Sequence, residues 1–163
     1  MSTGLGGLLA AVRLDFAPQH DQPRLAAWLL ATVVALGASL GVDSILVTVG
    51  TRVFPSTRGY GHFLFSDYGK LTVIGVIVAC IGWPVVTRIS SDPRWVFLRS
   101  AIAVTLLLWL PDLYILAKGQ PARAVAVLMA MHLAIAIVTY NALVHLAPIR
   151  HRHEARPPEH SMT

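Results

Sequence analysis

Residues 101–110 read AIAVTLLLWL, and Thr105 is the one residue among them outside the hydrophobic set. A helix on the surface of a soluble protein repeats its apolar residues every three or four positions and turns a polar face to water. Here the helix is apolar all round. Residues 124–138 (AVAVLMAMHLAIAIV) repeat the pattern with His132 as the only strongly polar interruption. Four stretches of this kind occur, at 25–49, 71–86, 95–116 and 124–146, each closed by charge or proline. Each is near the ~20 residues that a helix needs to cross ~30 Å of hydrocarbon. A chain of 163 residues holds too little other material to bury four such helices. The expected fold is therefore all-α: a polytopic membrane protein with an up-down bundle of four transmembrane helices.

Composition agrees. Hydrophobic residues make up 55% of the chain and charged residues 13%, about half the ~25% charged share of a soluble domain. Mean hydropathy is +0.64. The net charge of +5 raises the question of nucleic acid. Its carriers, however, sit at the ends of the apolar stretches, as Arg24, Lys70, Arg88, Arg94, Lys118, Arg123 and Arg150 do. That is the placement of anchors facing headgroups, so lipid is the expected partner and nucleic acid is not. Cys80 is the only cysteine. A disulfide oxidoreductase or a cysteine-rich metal centre is thereby excluded.

Residues 1–24 form an N-terminal segment expected to be cytoplasmic or interfacial, and the domain proper spans 25–147. The first stretch continues past Gly41, beyond the ~7–15 residues of a signal-peptide core, and reads as an uncleaved helix. Residues 50–69 are the long connection, extracellular and rich in aromatics (Phe54, Tyr60, Phe63, Phe65, Tyr68), as in a belt at the headgroups. Asp92-Pro93 fits the start of a helix, and Gly119 with Pro121 marks a tight turn. Residues 148–163 read as a disordered basic tail, whose His151 and His153 are better explained as solvated than as metal ligands. Counting Lys and Arg by side gives eight with both termini and five opposite. The positive-inside rule then puts both termini in the cytoplasm of a plasma-membrane protein.

Small residues suited to close packing in lipid recur at four-residue spacing. Ala27, Ala31, Ala35, Ser39 and Asp43 form one face of the first span, and Gly37 with Gly41 a neighbouring GxxxG. Gly75 with Ala79 and Ala126, Ala130 and Ala134 repeat the spacing in spans two and four. Gly37, Gly41, Ala35, Gly75, Ala79 and Ala130 are the candidate packing positions, either within the bundle or between two copies. Of the polar groups inside the spans, chiefly Asp43, Asp112 and His132 need explaining. By connectivity all three fall toward the extracellular half, and they form the candidate polar site. The alternative is structural: near-interface carboxylates, and a histidine making one interhelical hydrogen bond.

No P-loop, GxSxG, HExxH or dinucleotide fingerprint is present, so neither catalytic residues nor a cofactor or metal is expected. The segments Gly41-Val42-Asp43 and Trp109-Leu110-Pro111-Asp112, with Leu128-Met129 ahead of His132, resemble a family of uncharacterised four-helix integral membrane proteins of actinobacteria. The resemblance implies architecture and host type, with Asp43 and His132 as positions to test, and carries no activity. The leading expectation is a non-enzymatic accessory subunit, or a small-molecule or lipid-binding component of a cell-envelope assembly, joined to a larger complex or to itself. The alternative is a small proton-coupled or cation transporter acting as an oligomer, and an intramembrane enzyme ranks third.

Overall fold

A computed structural model describes residues 20–151 together with Gly7, Ala10, Arg13 and Leu14. Four helices account for most of it: α1 (Leu25–Val53), α2 (Phe65–Ile89), α3 (Pro93–Ala117) and α4 (Ala122–Leu146). All four are long and apolar enough to cross a membrane. The chain is an all-α, four-helix membrane protein. Consecutive helices are neighbours, and α4 closes the bundle by packing most extensively on α1. Leu25, Val33, Leu71 and Leu107 stand outward, each more than 60% exposed. Such exposure is costly in water and natural in lipid.

Every helix is longer than the apolar stretch that announced it. α1 runs on through Gly50–Val53, and α2 starts at Phe65 rather than Leu71. Hydropathy marks the hydrocarbon, whereas backbone hydrogen bonding continues into the headgroup zone, where Arg52, Asp67 and Lys70 are solvated. The connection thus shrinks to 54–64, and it holds two single 3-10 turns, Pro55–Thr57 and Gly61–Phe63. Its aromatics divide. Phe65 stays exposed, while Phe63 and Tyr68 turn inward with Tyr60 onto Ala124, Val127 and Met131.

The helix ends follow their sequence signals. Pro93 opens α3, and the Asp92 carboxylate accepts the Trp95 N–H. α3 ends where Gly119 adopts φ +88°, a left-handed conformation that glycine takes without strain. The two interior prolines, Pro84 and Pro111, do not end their helices. Each lacks an N–H, so each leaves the carbonyl four residues back without its helical partner. For Pro84 that carbonyl belongs to Cys80, and the Trp28 indole N–H donates to it at 2.8 Å. The Trp83 indole likewise donates to Ala147 O just past the end of α4, at 2.9 Å.

The segment before α1 lies on the α2–α3 turn. Ser90 Oγ donates to Arg13 O at 2.6 Å, Arg13 pairs with Asp92, and Arg13 and Arg99 both lie over the Trp95 ring. His20–Asp21 and Arg150–His151 form a two-residue antiparallel pair, so the first residues after α4 meet those before α1. Positions 152–163, most of the expected tail and His153 with it, lie outside the described residues.

The small-residue stripes need correction. Ala31, Ala35, Ser39 and Asp43 are wholly buried and form the seam of α1, and Ala79 is half-buried. Gly37, Gly41, Gly75 and Ala130 instead face outward, and a Cβ built on any of the three glycines meets nothing within 4 Å. They pack no helix inside the protomer. Spacing identifies a face but not the neighbour it meets. The close approach of α1 to α4 lies elsewhere, at Gly50, where a Cβ would fall 2.8 Å from Val127 Cγ2. Replacing Gly50 with Leu should therefore lower unfolding stability in bicelles by about 1–3 kcal/mol, the usual cost of overpacking. Gly37→Leu and Gly41→Leu should leave it unchanged, and equal losses at all three would refute this assignment of the seam.

Candidate functional site

α3 and α4 run antiparallel through the turn at 118–121. Side chains in a helix lean toward its own N-terminus. Asp112, near the end of α3, therefore leans into the bundle, and His132, near the middle of α4, leans back toward it. They meet: His132 Nδ1 lies 3.0 Å from Asp112 Oδ2. The carboxylate is almost completely buried, and the imidazole is about one quarter exposed. The Trp109 indole, three residues before Asp112, donates to Met129 O at 3.1 Å and fixes α3 against α4 at this level.

Asp43 reaches the same region from α1. It is 0% exposed, and Thr72 of α2 donates its hydroxyl to Oδ2 at 2.6 Å. Its other oxygen, Oδ1, has no hydrogen-bond partner among the described residues. Asp43 interacts electrostatically with His132, and Asp112 with His62 and Tyr60 of the connection. The three residues singled out in the sequence are thus brought together as a row across α1, α4 and α3. Among the described residues, no three His, Cys, Asp or Glu side chains are grouped to hold a metal ion.

Thr72, Tyr60 and His62 complete the surroundings, and the sequence reading missed all three. A threonine in an apolar helix normally bonds its own backbone, as Thr32, Thr48, Thr51 and Thr105 do here. Nothing local marks Thr72 as different; only the fold brings it to Asp43. Tyr60 reads as a belt aromatic, yet its hydroxyl is buried without a partner among the described residues. Burial, and then the Asp112 charge, pushes its phenol above the ordinary value, so at neutral pH it remains an O–H donor. Asn141 and His145 are exposed on another part of α4, and Asn141 donates to Ile137 O. They take no part in the row.

Chemically the row offers two carboxylates and one imidazole, with a donor–acceptor contact short enough to pass a proton between Asp112 and His132. Compared with known protein families, curated proteins and solved structures, the chain shows no match. The arrangement has to be interpreted from its own geometry. A double-mutant cycle of Asp112→Asn and His132→Gln, read by unfolding in bicelles, should give a coupling of ~0.6–1.7 kcal/mol, from the average to the maximum measured for interhelical polar pairs in a membrane protein. Strict additivity would mean that the pair is not formed.

Proposed function

We propose that the chain is a non-enzymatic multi-pass protein of the plasma membrane, both termini cytoplasmic, which takes up and releases a proton or a small cation at Asp43, Asp112 and His132. One observation carries this reading: a carboxylate at 0% exposure inside an apolar bundle, with one oxygen left unpartnered. A charged group at the bilayer centre costs ~2.5–3.5 kcal/mol or more, and such residues mark ion and proton pathways. A buried carboxylate oxygen without a partner is uncommon in folded proteins and calls for a role. The count of eight basic residues against five supports the orientation. Affiliation with the actinobacterial four-helix family belongs to the same proposal, and its likeness rests on segments that include Asp43, Asp112 and His132.

In proteoliposomes, a proton or monovalent-cation gradient across the purified chain should drive a flux that Asp43→Asn and His132→Gln each abolish, while circular dichroism shows the helices intact. Flux at the native level in both variants would refute the proposal.

A second role, as an accessory subunit of a larger membrane assembly, is favoured by the open glycine face of α1. Gly37 and Gly41 are exposed and clear of neighbours, and such a surface lets a second helix approach closely. Native chain purified in mild detergent should then carry a larger membrane protein with it, and Gly37→Leu with Gly41→Leu should lose that protein. Native chain that always purifies alone would refute this role.

A further inference from the structure

Four buried side-chain polar atoms lack a hydrogen-bond partner among the described residues: Tyr60 OH, Asp43 Oδ1, Ser39 Oγ and Thr139 Oγ1. Their positions in the fold are not independent. Gly50 meets Val127 where α1 and α4 cross closely. Counting eleven residues back along α1 and eleven forward along α4 brings Ser39 level with Val138 and Thr139. Asp43 lies one helical turn from Ser39 on the same buried face, at ~1.5 Å rise per residue. Tyr60 is at the other end of the row, beside Asp112. Counted along the helices, the four atoms fall in one order. It starts at the 54–64 connection, passes the Asp112–His132 pair and Asp43, and runs down the seam of α1 and α4.

Ser39 and Thr139 depart from a local rule. Thr32, Ser44, Thr48, Thr51 and Thr105 each donate to the carbonyl four residues back. Ser39 and Thr139, in the same kind of helix and at least as deeply buried, have no partner among the described residues. Polar atoms enclosed in protein without a partner are the places where internal water is held, bonded to two to four such groups. One turn beyond them the seam changes character. Ala35 and Ala142 belong to an apolar cluster with Val76, Cys80, Trp83, Phe97 and Leu143, all buried.

We propose that these residues line a one-sided aqueous half-channel. Water enters beside Tyr60, reaches Asp43, and continues to Ser39 and Thr139, where the cluster around Ala35, Ala142 and Leu143 seals it. The inference deepens the proton- or cation-handling role of the row and rests on that reading for its purpose. Its ligand is water, through which a proton at Asp43 or His132 exchanges with one side of the membrane only.

Water-edited solid-state NMR of the full chain in lipid bilayers tests the channel directly. Magnetisation should pass from water to Asp43, Ser39 and Thr139 as it does to Tyr60, and should fail to reach Ala35 and Ala142. Transfer that stops at Tyr60 and His132 would overturn the half-channel, as would transfer continuing equally through Ala35 and Ala142. A chain carrying Ser39→Ala and Thr139→Val, with its other resonances unmoved, should lose transfer at those two sites and keep it at Asp43. Persistence of transfer at both substituted sites would overturn the assignment of the hydroxyls as the water-holding groups. The two readings separate cleanly. Water at Asp43 without flux in proteoliposomes leaves the channel standing and removes its proposed use; flux without water beyond His132 does the reverse.

Discussion

Inside a bilayer a polar group has no solvent to fall back on, and the bundle is organised by the need to satisfy such groups from within. The tryptophans show this most directly. Pro84 takes a donor out of α2, and the orphaned Cys80 carbonyl is met by Trp28 of α1. Trp83, one residue before that proline, supplies the end of α4 through Ala147 O. Trp109, two residues before Pro111, bonds Met129 O on α4. Three indole N–H groups thus tie α1 to α2, α2 to the end of α4, and α3 to α4. Apolar packing gives helices in lipid little reason to choose one partner over another, since acyl chains are as apolar as leucine. These directional bonds supply part of that choice.

The polar row depends on the same framework. Asp112 follows Pro111 directly, at a level where Trp109 already clamps α3 to α4, and His132 is three residues beyond the clamped Met129. Register between α3 and α4 is therefore set within one helical turn of the Asp112–His132 contact. Asp43 is placed by a different contact, the Gly50–Val127 approach that lets α1 lie close along α4. A larger residue at position 50 would push α1 outward and separate Asp43 from His132. Two independent helix contacts set the register of the site, and neither of them involves an ionisable group.

The helices were legible because hydropathy is a sum over ~20 residues, and no single substitution in 101–110 or 124–138 would have hidden it. The meeting of Asp112 and His132 was legible too, since the short turn between α3 and α4 makes them antiparallel neighbours and helical rise fixes their depth. Lateral information was not. Gly37 and Gly41 carry the motif associated with packing, yet they face outward, while Gly50, in no motif, makes the close contact. A one-dimensional pattern records which residues share a face and is silent about what faces it. Thr72 was hidden for the same reason: its partner is 29 residues away on another helix. Tyr60 was read as a headgroup aromatic, because composition shows that a ring lies near the interface and not which way its hydroxyl points.

The seam between α1 and α4 also bears on what the row is able to do. On one side of Ser39 and Thr139, Asp43 and His132 stand beside the apolar residues Val127 and Met131; on the other side the seam is lined by Ala31, Ala35, Ala142 and Leu143, which neither hold a proton nor hydrogen-bond to its carrier. A continuous polar path would let protons leak down their gradient, whereas a path that stops partway confines exchange to one face. In the proposed role, release to the other face requires the lower seam to open. Ala31, Ala35 and Ala142 let the two backbones lie close there, and Leu143 fills the seam between them. Trp83 of α2 and Phe97 of α3 meet edge to face and pack in the same buried cluster as Ala31, Ala35, Ala142 and Leu143. Any such opening must therefore part side chains that the two aromatic rings help to hold in place.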